Sequence, residues 1–124
     1  MGGDVAHLLI VEDNDLVTGA LRVVFESAGY RVSTAGSVAE ARVFAAHDPA
    51  TLVLLDLTLP DGDGLEVVDA FRGAGSRAIV ALTGRDDDDT RRRCLDAGCV
   101  DVLLKPVPVK ELLRRAAGWI APTV

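Results

Sequence analysis

The stretch Leu52-Val53-Leu54-Leu55-Asp56-Leu57-Thr58-Leu59-Pro60-Asp61-Gly62-Asp63-Gly64 is an apolar run that closes on a carboxylate and passes into a turn. A short apolar run bounded by turn-formers reads as a buried strand. Three other runs end on polar groups: His7–Val11 is followed by Glu12-Asp13, Ala78–Leu82 by Thr83, and Val100–Leu104 by Lys105. Apolar runs and helical patterns alternate five times along the chain, the signature of an α/β domain.

The runs place strands at His7–Val11, Tyr30–Thr34, Thr51–Leu55, Arg77–Leu82 and Val100–Leu104. The second alternates Tyr30, Val32 and Thr34 against Arg31 and Ser33, which suits a half-exposed edge strand; the others are continuous, which suits central ones. A first helix, capped by Asn14 or Asp15, is expected to turn Leu16, Ala20, Val23 and Val24 inward and to end at Gly29. Ser37 caps a second with Val38, Ala41 and Ala45 inward, followed by Pro49. A third starts near Gly64 with Val67, Val68 and Phe71, and Gly73 and Gly75 break it. The fifth runs from about Pro108, burying Val109, Leu112, Leu113, Ala116 and Ile120, with Trp119 at its flank and Pro122 as its stop.

The fourth helix is unusual, because Gly84 to Arg93 contains no apolar residue. Asp86–Asp89 suit a helix N-terminus, and the spacing predicts ion pairs Asp87–Arg91, Asp88–Arg92 and Asp89–Arg93. Only Cys94, Leu95 and Ala97 can anchor it, so a weakly packed helix start is expected.

The 124 residues suffice for one domain with a real core, read as spanning 1–124. Apolar residues at 49% and charged residues at 26% exclude a disordered chain. No run approaches the roughly 18 apolar residues of a membrane span, and Met1-Gly2-Gly3-Asp4 lacks the features of a secretory signal. A net charge of −6 disfavours nucleic-acid binding, which needs Lys and Arg to neutralise phosphates. Cys94 and Cys99 are too few for a zinc site and read as reduced thiols of a cytosolic protein. His7, His47 and the Asp61-Gly62-Asp63-Gly64 turn offer no ligand set; the turn lacks the later ligands of a calcium loop.

In a parallel sheet with right-handed crossovers all strand C-termini lie on one rim, where ligands bind. Glu12, Asp13, Asp56, Thr83 and Lys105 would converge there. Clustered carboxylates repel one another unless a cation intervenes, and a small oxygen-only set favours Mg²⁺. A carboxylate beside such a cation can attack a phosphoryl group and become an aspartyl phosphate. The Lys105 ammonium would neutralise phosphoryl charge and the Thr83 hydroxyl would donate to a phosphoryl oxygen.

These residues make the chain resemble the response-regulator receiver domains of bacterial two-component signalling, the CheY-like superfamily. The resemblance rests on LLIVEDND (Leu8–Asp15), LVLLDLTLPDGDGLEVV (Leu52–Val68), IVALTG (Ile79–Gly84) and CLDAGCVDVLLKPV (Cys94–Val107), which span nearly the whole chain. The Arg93–Gly98 and Lys105–Val107 stretches are more similar to receivers fused to hybrid kinases. The resemblance implies a flavodoxin-like, doubly wound fold: a five-stranded parallel sheet in the order 2-1-3-4-5, flanked by five helices. It implies Asp56 as phosphoacceptor, and Mg²⁺ or Mn²⁺ held by Glu12, Asp13, Asp56 and the backbone carbonyl of Thr58. Lys105 should contact the phosphoryl group and form a cis peptide with Pro106. The implied partners are a sensor histidine kinase or histidine phosphotransfer protein and an output partner, with no membrane or direct nucleic-acid contact. The implied role is cytoplasmic signalling, with self-phosphorylation and self-dephosphorylation but no turnover of an external substrate.

One position departs from the family. Val102 stands where an aromatic ring usually moves together with the Thr83 hydroxyl, so any switch falls more heavily on the Gly84–Arg93 segment. Two other classes compete. Aspartyl-phosphate phosphatases usually carry a second Asp two residues after the first, where this chain has Thr58. A receiver-like module that binds partners without phosphate would not need the acid cluster, which is intact here.

Overall fold

Five of the apolar runs form one parallel sheet in the computed structural model, which describes residues 5–121. The sheet strands are β1 (His7–Val11), β2 (Arg31–Ala35), β3 (Leu52–Asp56), β4 (Ala78–Thr83) and β5 (Asp101–Leu104). Their order across the sheet is β2-β1-β3-β4-β5, with every pairing parallel. The helices are α1 (Asp15–Ser27), α2 (Val38–His47), α3 (Val68–Gly73), α4 (Asp88–Ala97) and α5 (Val109–Ile120). This is the flavodoxin-like arrangement, with the topological switch between β1 and β3.

Strand side chains alternate between faces, so each central strand feeds two cores. Leu9, Val11, Val53 and Leu55 pack with Ala41, Phe71 and Cys94 on one face. Leu8, Ile10, Leu52 and Leu54 pack with Leu21, Phe25, Leu112 and Ala116 on the other. β1 and β3 are buried along their whole length, which explains their unbroken apolar sequence.

Helix α1 presents a different face from the one its apolar spacing suggests. Its buried residues are Thr18, Leu21 and Phe25. Leu16 and Val23 are 85% and 64% exposed. The aromatic side chain decides the phase: Phe25 is fully buried and meets the edge of Tyr30 at 5.3 Å. Thr18 tolerates the inward position because its hydroxyl donates to the Asp15 carbonyl at 3.2 Å. Asn14 is the cap, its Oδ1 accepting from the N–H groups of Leu16 and Val17.

The edge strands also shift. β2 begins at Arg31, one residue later than its alternation suggests, and β5 begins at Asp101, leaving Val100 exposed. β5 is an edge despite its apolar run, and its ends are open to solvent. The third helical segment opens as a 3₁₀ turn over Gly64–Val67 before α3.

The turn after β3 is built by its aspartates. Thr58–Leu59 pairs antiparallel with Gly62–Asp63 in a small hairpin. The Asp61 carboxylate accepts from the Val38 and Ala39 N–H groups at 2.7 and 3.0 Å, joining Ser37 as a cap on α2. Asp63 and Glu66 form a capping box on the 3₁₀ turn. The phosphoryl-site candidate Asp56 is therefore followed by a hairpin fastened at both ends.

In α4, Asp87 is the N-cap, accepting from the Thr90 N–H at 2.7 Å. Among the described residues, none of the three expected i, i+4 pairs forms. Arg91 instead donates to the Val102 carbonyl at 3.3 Å, and Arg93 pairs with Asp63 at 2.6 Å. Both guanidiniums find partners across the fold rather than carboxylates on their own helix. Only Thr90 and Cys94 of α4 are buried, and Leu95 is exposed.

Cys94 and Cys99 are free and buried, and burial pushes the Cys99 thiol up to about 12. Among the described residues no helix is long and apolar enough to cross a membrane. Met1–Asp4 and the expected stop at Pro122 lie outside the described residues.

His7 supplies a pH test of the fold. Its Nε2 lies 2.7 Å from Ser33 Oγ, and its Nδ1 is buried 3.7 Å from Asp48 Oδ1 without a hydrogen bond. Burial, helped by the Arg31 charge, outweighs Asp48 and holds the imidazole below its ordinary value of 6.5. The fold therefore prefers neutral His7, while the unfolded chain takes up a proton below about pH 6.5. Stability contributed by His7 is present above that pH and is lost as pH falls toward the folded value. Denaturant midpoints from about pH 7 to 5 should fall more steeply for wild type than for His7→Gln. Parallel curves would refute this.

Candidate functional site

The β1, β3, β4 and β5 ends bring Glu12, Asp13, Asp56, Thr83 and Lys105 to one rim. Glu12 and Asp56 are nearly buried, at 5% and 6% exposure, whereas Asp13 is exposed. One oxygen from each of the three carboxylates falls within 4.8 Å of the others. Lys105 Nζ donates to Glu12 Oε1 at 2.9 Å and lies 3.4 Å from Asp56 Oδ2. The second oxygens are held by backbone: Glu12 Oε2 accepts from the Asn14 N–H at 3.1 Å, and Asp56 Oδ1 from the Thr58 N–H at 3.2 Å.

Burial works to lower the Lys105 ammonium, but the Glu12 hydrogen bond and the charges of Asp56 and Glu12 outweigh it. Its proton affinity is raised above the ordinary lysine value, so it is cationic at neutral pH. One ammonium faces three carboxylates, and the excess negative charge is concentrated on oxygen atoms. That donor set fits a hard divalent cation keeping part of its water shell. The hairpin places Thr58 two residues beyond Asp56, with its own N–H already engaged by that side chain.

Thr83 is buried beside Asp56: β3 and β4 pair Asp56 with Leu82 in register. Its Oγ1 accepts from the Arg85 N–H at 3.0 Å, which leaves the hydroxyl proton available to donate. The Thr83 carbonyl accepts from the Lys105 N–H at 2.7 Å, tying the two strand ends together. The Lys105–Pro106 peptide is cis.

Val102 is buried on β5, with Arg91 on its carbonyl. A cavity of about 70 Å³ adjoins it, lined in part by Thr83, Asp88, Arg91 and Leu104. Toward α4, a polar cleft of about 780 Å³ is lined by Thr58, Asp63, Thr83, Arg85, Asp87 and Arg93.

Four contributors to this site escape strand-end reasoning. Asn14 acts through its backbone N–H, which no side-chain motif announces. Asp63 and Arg93 meet although thirty residues separate them. Gly64 matters for what it lacks: a Cβ there would overlap the Asp56 carbonyl, and its N–H donates to the Leu57 carbonyl at 2.8 Å.

A doubly wound α/β domain with an acidic, lysine-bridged rim at its strand C-termini is the class this fold and site define. Residues 8–117 match the family model of the response regulator receiver domain, and the chain belongs to that family. The TorCAD operon transcriptional regulatory protein TorR of Escherichia coli O157:H7 is 37% identical over 114 residues, covering 92% of this chain and 50% of that protein. The chain thus spans about half the length of curated relatives it matches. The receiver domain of sensor histidine kinase PA1611 from Pseudomonas aeruginosa PAO1 was solved with a magnesium ion coordinated in the active site cleft. It superposes with a TM-score of 0.81 at 32% identity, over 94% of this chain and 98% of that one. A CheY-like response regulator receiver domain protein from Methanospirillum hungatei JF-1 shares the fold, with a TM-score of 0.88 at 24% identity over 94% of each chain.

Proposed function

We propose that Asp56 accepts a phosphoryl group from a phosphohistidine on a sensor histidine kinase or a histidine phosphotransfer protein. The observation that carries this reading is the buried Asp56 carboxylate, with Lys105 Nζ at 3.4 Å and oxygens of Glu12 and Asp13 alongside. Glu12, Asp13, Asp56 and the Thr58 carbonyl would hold Mg²⁺ or Mn²⁺. When bound, the cation neutralises charge on the phosphoryl oxygens.

The chain's own groups divide the remaining work. An Asp56 carboxylate oxygen attacks phosphorus in line, and the bond from phosphorus to the histidine nitrogen breaks, its electron pair leaving on the imidazole. The Thr58 N–H keeps the other Asp56 oxygen fixed, so attack begins from an ordered carboxylate. The Lys105 ammonium moves from ground-state carboxylates toward the transferring phosphoryl oxygens, and the Thr83 hydroxyl donates to one of them. The product is a phospho-signal that switches partner binding in the cytoplasm. With Val102 in place of a ring, the readout falls on Thr83 and the α4 approach.

The test is intact mass after incubation with Mg²⁺ and a small-molecule phosphodonor. Wild type should gain about 80 Da, one phosphoryl group, and Asp56→Asn should gain nothing. A wild-type chain that stays unmodified sinks the reading.

A further inference from the structure

The polar cleft beside Asp56 is spanned by an ion pair. Arg93 Nη2 on α4 lies 2.6 Å from Asp63 Oδ2 on the hairpin. The other Asp63 oxygen accepts from the Leu65 N–H at 2.9 Å, capping the 3₁₀ turn. Asp63 also pairs in register with Thr58, whose N–H holds Asp56 Oδ1 at 3.2 Å. The carboxylate that receives Arg93 thus belongs to the same hairpin, Thr58–Asp63, that orients Asp56.

At the other end of the bridge, α4 has few anchors. Thr90 and Cys94 are its buried side chains, and Arg91 adds one longer hydrogen bond to the Val102 carbonyl. Exposed ion pairs usually contribute little, because water and salt screen the charges and ordering two long side chains costs entropy. A helix with two buried side chains depends more on each remaining tie. Arg85, the other guanidinium in the cleft, pairs with Asp87 at 3.2 Å and so stays within the approach to α4. Arg93 is the one that crosses to the hairpin.

We propose that the Arg93–Asp63 pair is a strap that holds α4 to the hairpin, and that a phosphoryl group on Asp56 opens it by competing for the Arg93 guanidinium. The opening step rests on Asp56 being the phosphoacceptor. A phosphoryl group brings about −1.5 to −2 charge and three acceptor oxygens, and its geometry suits the guanidinium fork. Asp63 offers a single charge already shared with its helix cap. Arg93 lines the cleft together with Thr58 and Thr83, which stand next to Asp56 at the rim, so a phosphoryl group on Asp56 would meet Arg93 over the Thr58–Thr83 edge of the cleft. This charge transfer gives α4 a readout that needs no aromatic ring at position 102.

The experiment is amide hydrogen exchange of α4 before and after phosphodonor treatment, with intact mass recorded on each sample. Arg93→Gln removes the charge, and Asp63→Asn keeps an oxygen for the Leu65 cap. Before treatment, each variant should exchange its α4 amides about two- to fivefold faster than wild type, the size of an exposed ion pair. The double variant should exchange no faster than either single one, and β1 and β3 amides should not change. After treatment, phosphorylated Asp63→Asn should regain α4 protection, because its Arg93 can still turn to the phosphoryl group, whereas phosphorylated Arg93→Gln should stay as fast as before. Wild-type-like exchange in the untreated variants, or additive effects in the double one, overturns the strap. An adduct on Asp63→Asn with unchanged α4 exchange overturns the competition of the phosphoryl group for Arg93. A missing adduct overturns the phosphoacceptor reading and the opening with it, while the untreated variants still decide the strap.

Discussion

Replacing Lys105 with methionine is expected to slow phosphorylation of Asp56 by about a hundredfold or more, the loss typical when a preorganised charge is removed from a site of developing negative charge. Methionine keeps much of the stem that packs beneath the ammonium, so the change removes charge more than volume. Lys105 is the cation that Glu12 and Asp56 share, at 2.9 and 3.4 Å. In the resting chain it is shared between two nearly buried carboxylates. During the proposed transfer the same ammonium would turn to the incoming phosphoryl oxygens.

A second readout separates this role from a merely structural one. Without Lys105, Glu12 and Asp56 face each other across the rim with no protein cation between them. The folded state should lose about 1–3 kcal/mol, the range for a partner removed from a buried polar group, tempered because the Lys105 side chain is 33% exposed. Divalent cation should then restore more stability to Lys105→Met than to wild type, because it no longer competes with the ammonium. Denaturation with and without Mg²⁺, beside a phosphorylation time course, checks both. Equal Mg²⁺ stabilisation of the two proteins, or an undiminished rate, contradicts the shared-cation account.

How much of this was legible in the amino-acid sequence depends on the distance over which each feature is determined. The strands were legible because burial on both faces demands unbroken apolar runs such as Leu52–Leu55, and the polar residue ending each run had to lie on the common rim. Helix α1 misleads because it is apolar on two sides. Leu16, Ala20 and Val23 keep a helical spacing, yet the sheet selects the face carrying Leu21 and Phe25. The larger buried surface of the aromatic ring outweighs the count of smaller residues. The aspartate-rich turn was legible as a turn, but not as a double cap, since Asp61 reaches α2 across 22 or 23 residues. The i, i+4 pairs of α4 show the same limit from the other side. Local spacing permits them, and tertiary partners for Arg91 and Arg93 replace them.

Gly64→Ala is expected to damage the site although Gly64 has no functional group. A Cβ at this position would run into the Asp56 carbonyl oxygen and crowd the Leu55 side chain, which is 3.2 Å away. The obstruction is backbone at the end of a buried central strand, so no rotamer change relieves it. The hairpin cannot simply swing aside either, because Asp61 is fixed to the α2 N-terminus and Asp63 to the 3₁₀ turn. The strain must be absorbed where β3 ends, which moves Asp56 relative to Lys105 and the other carboxylates. Overpacking of this kind costs about 1–3 kcal/mol of stability. A displacement near 1 Å at a reacting group can cost about a hundredfold in rate. Phosphorylation should therefore fall far more than the folded fraction does, which denaturant melts and initial rates of adduct formation would separate. Gly73→Ala is the control, since nothing lies within 4 Å of a Cβ there, and it should leave the rate unchanged. A Gly64→Ala chain that phosphorylates at the wild-type rate would show that the close approach of Gly64 to Asp56 does not position the phosphoacceptor.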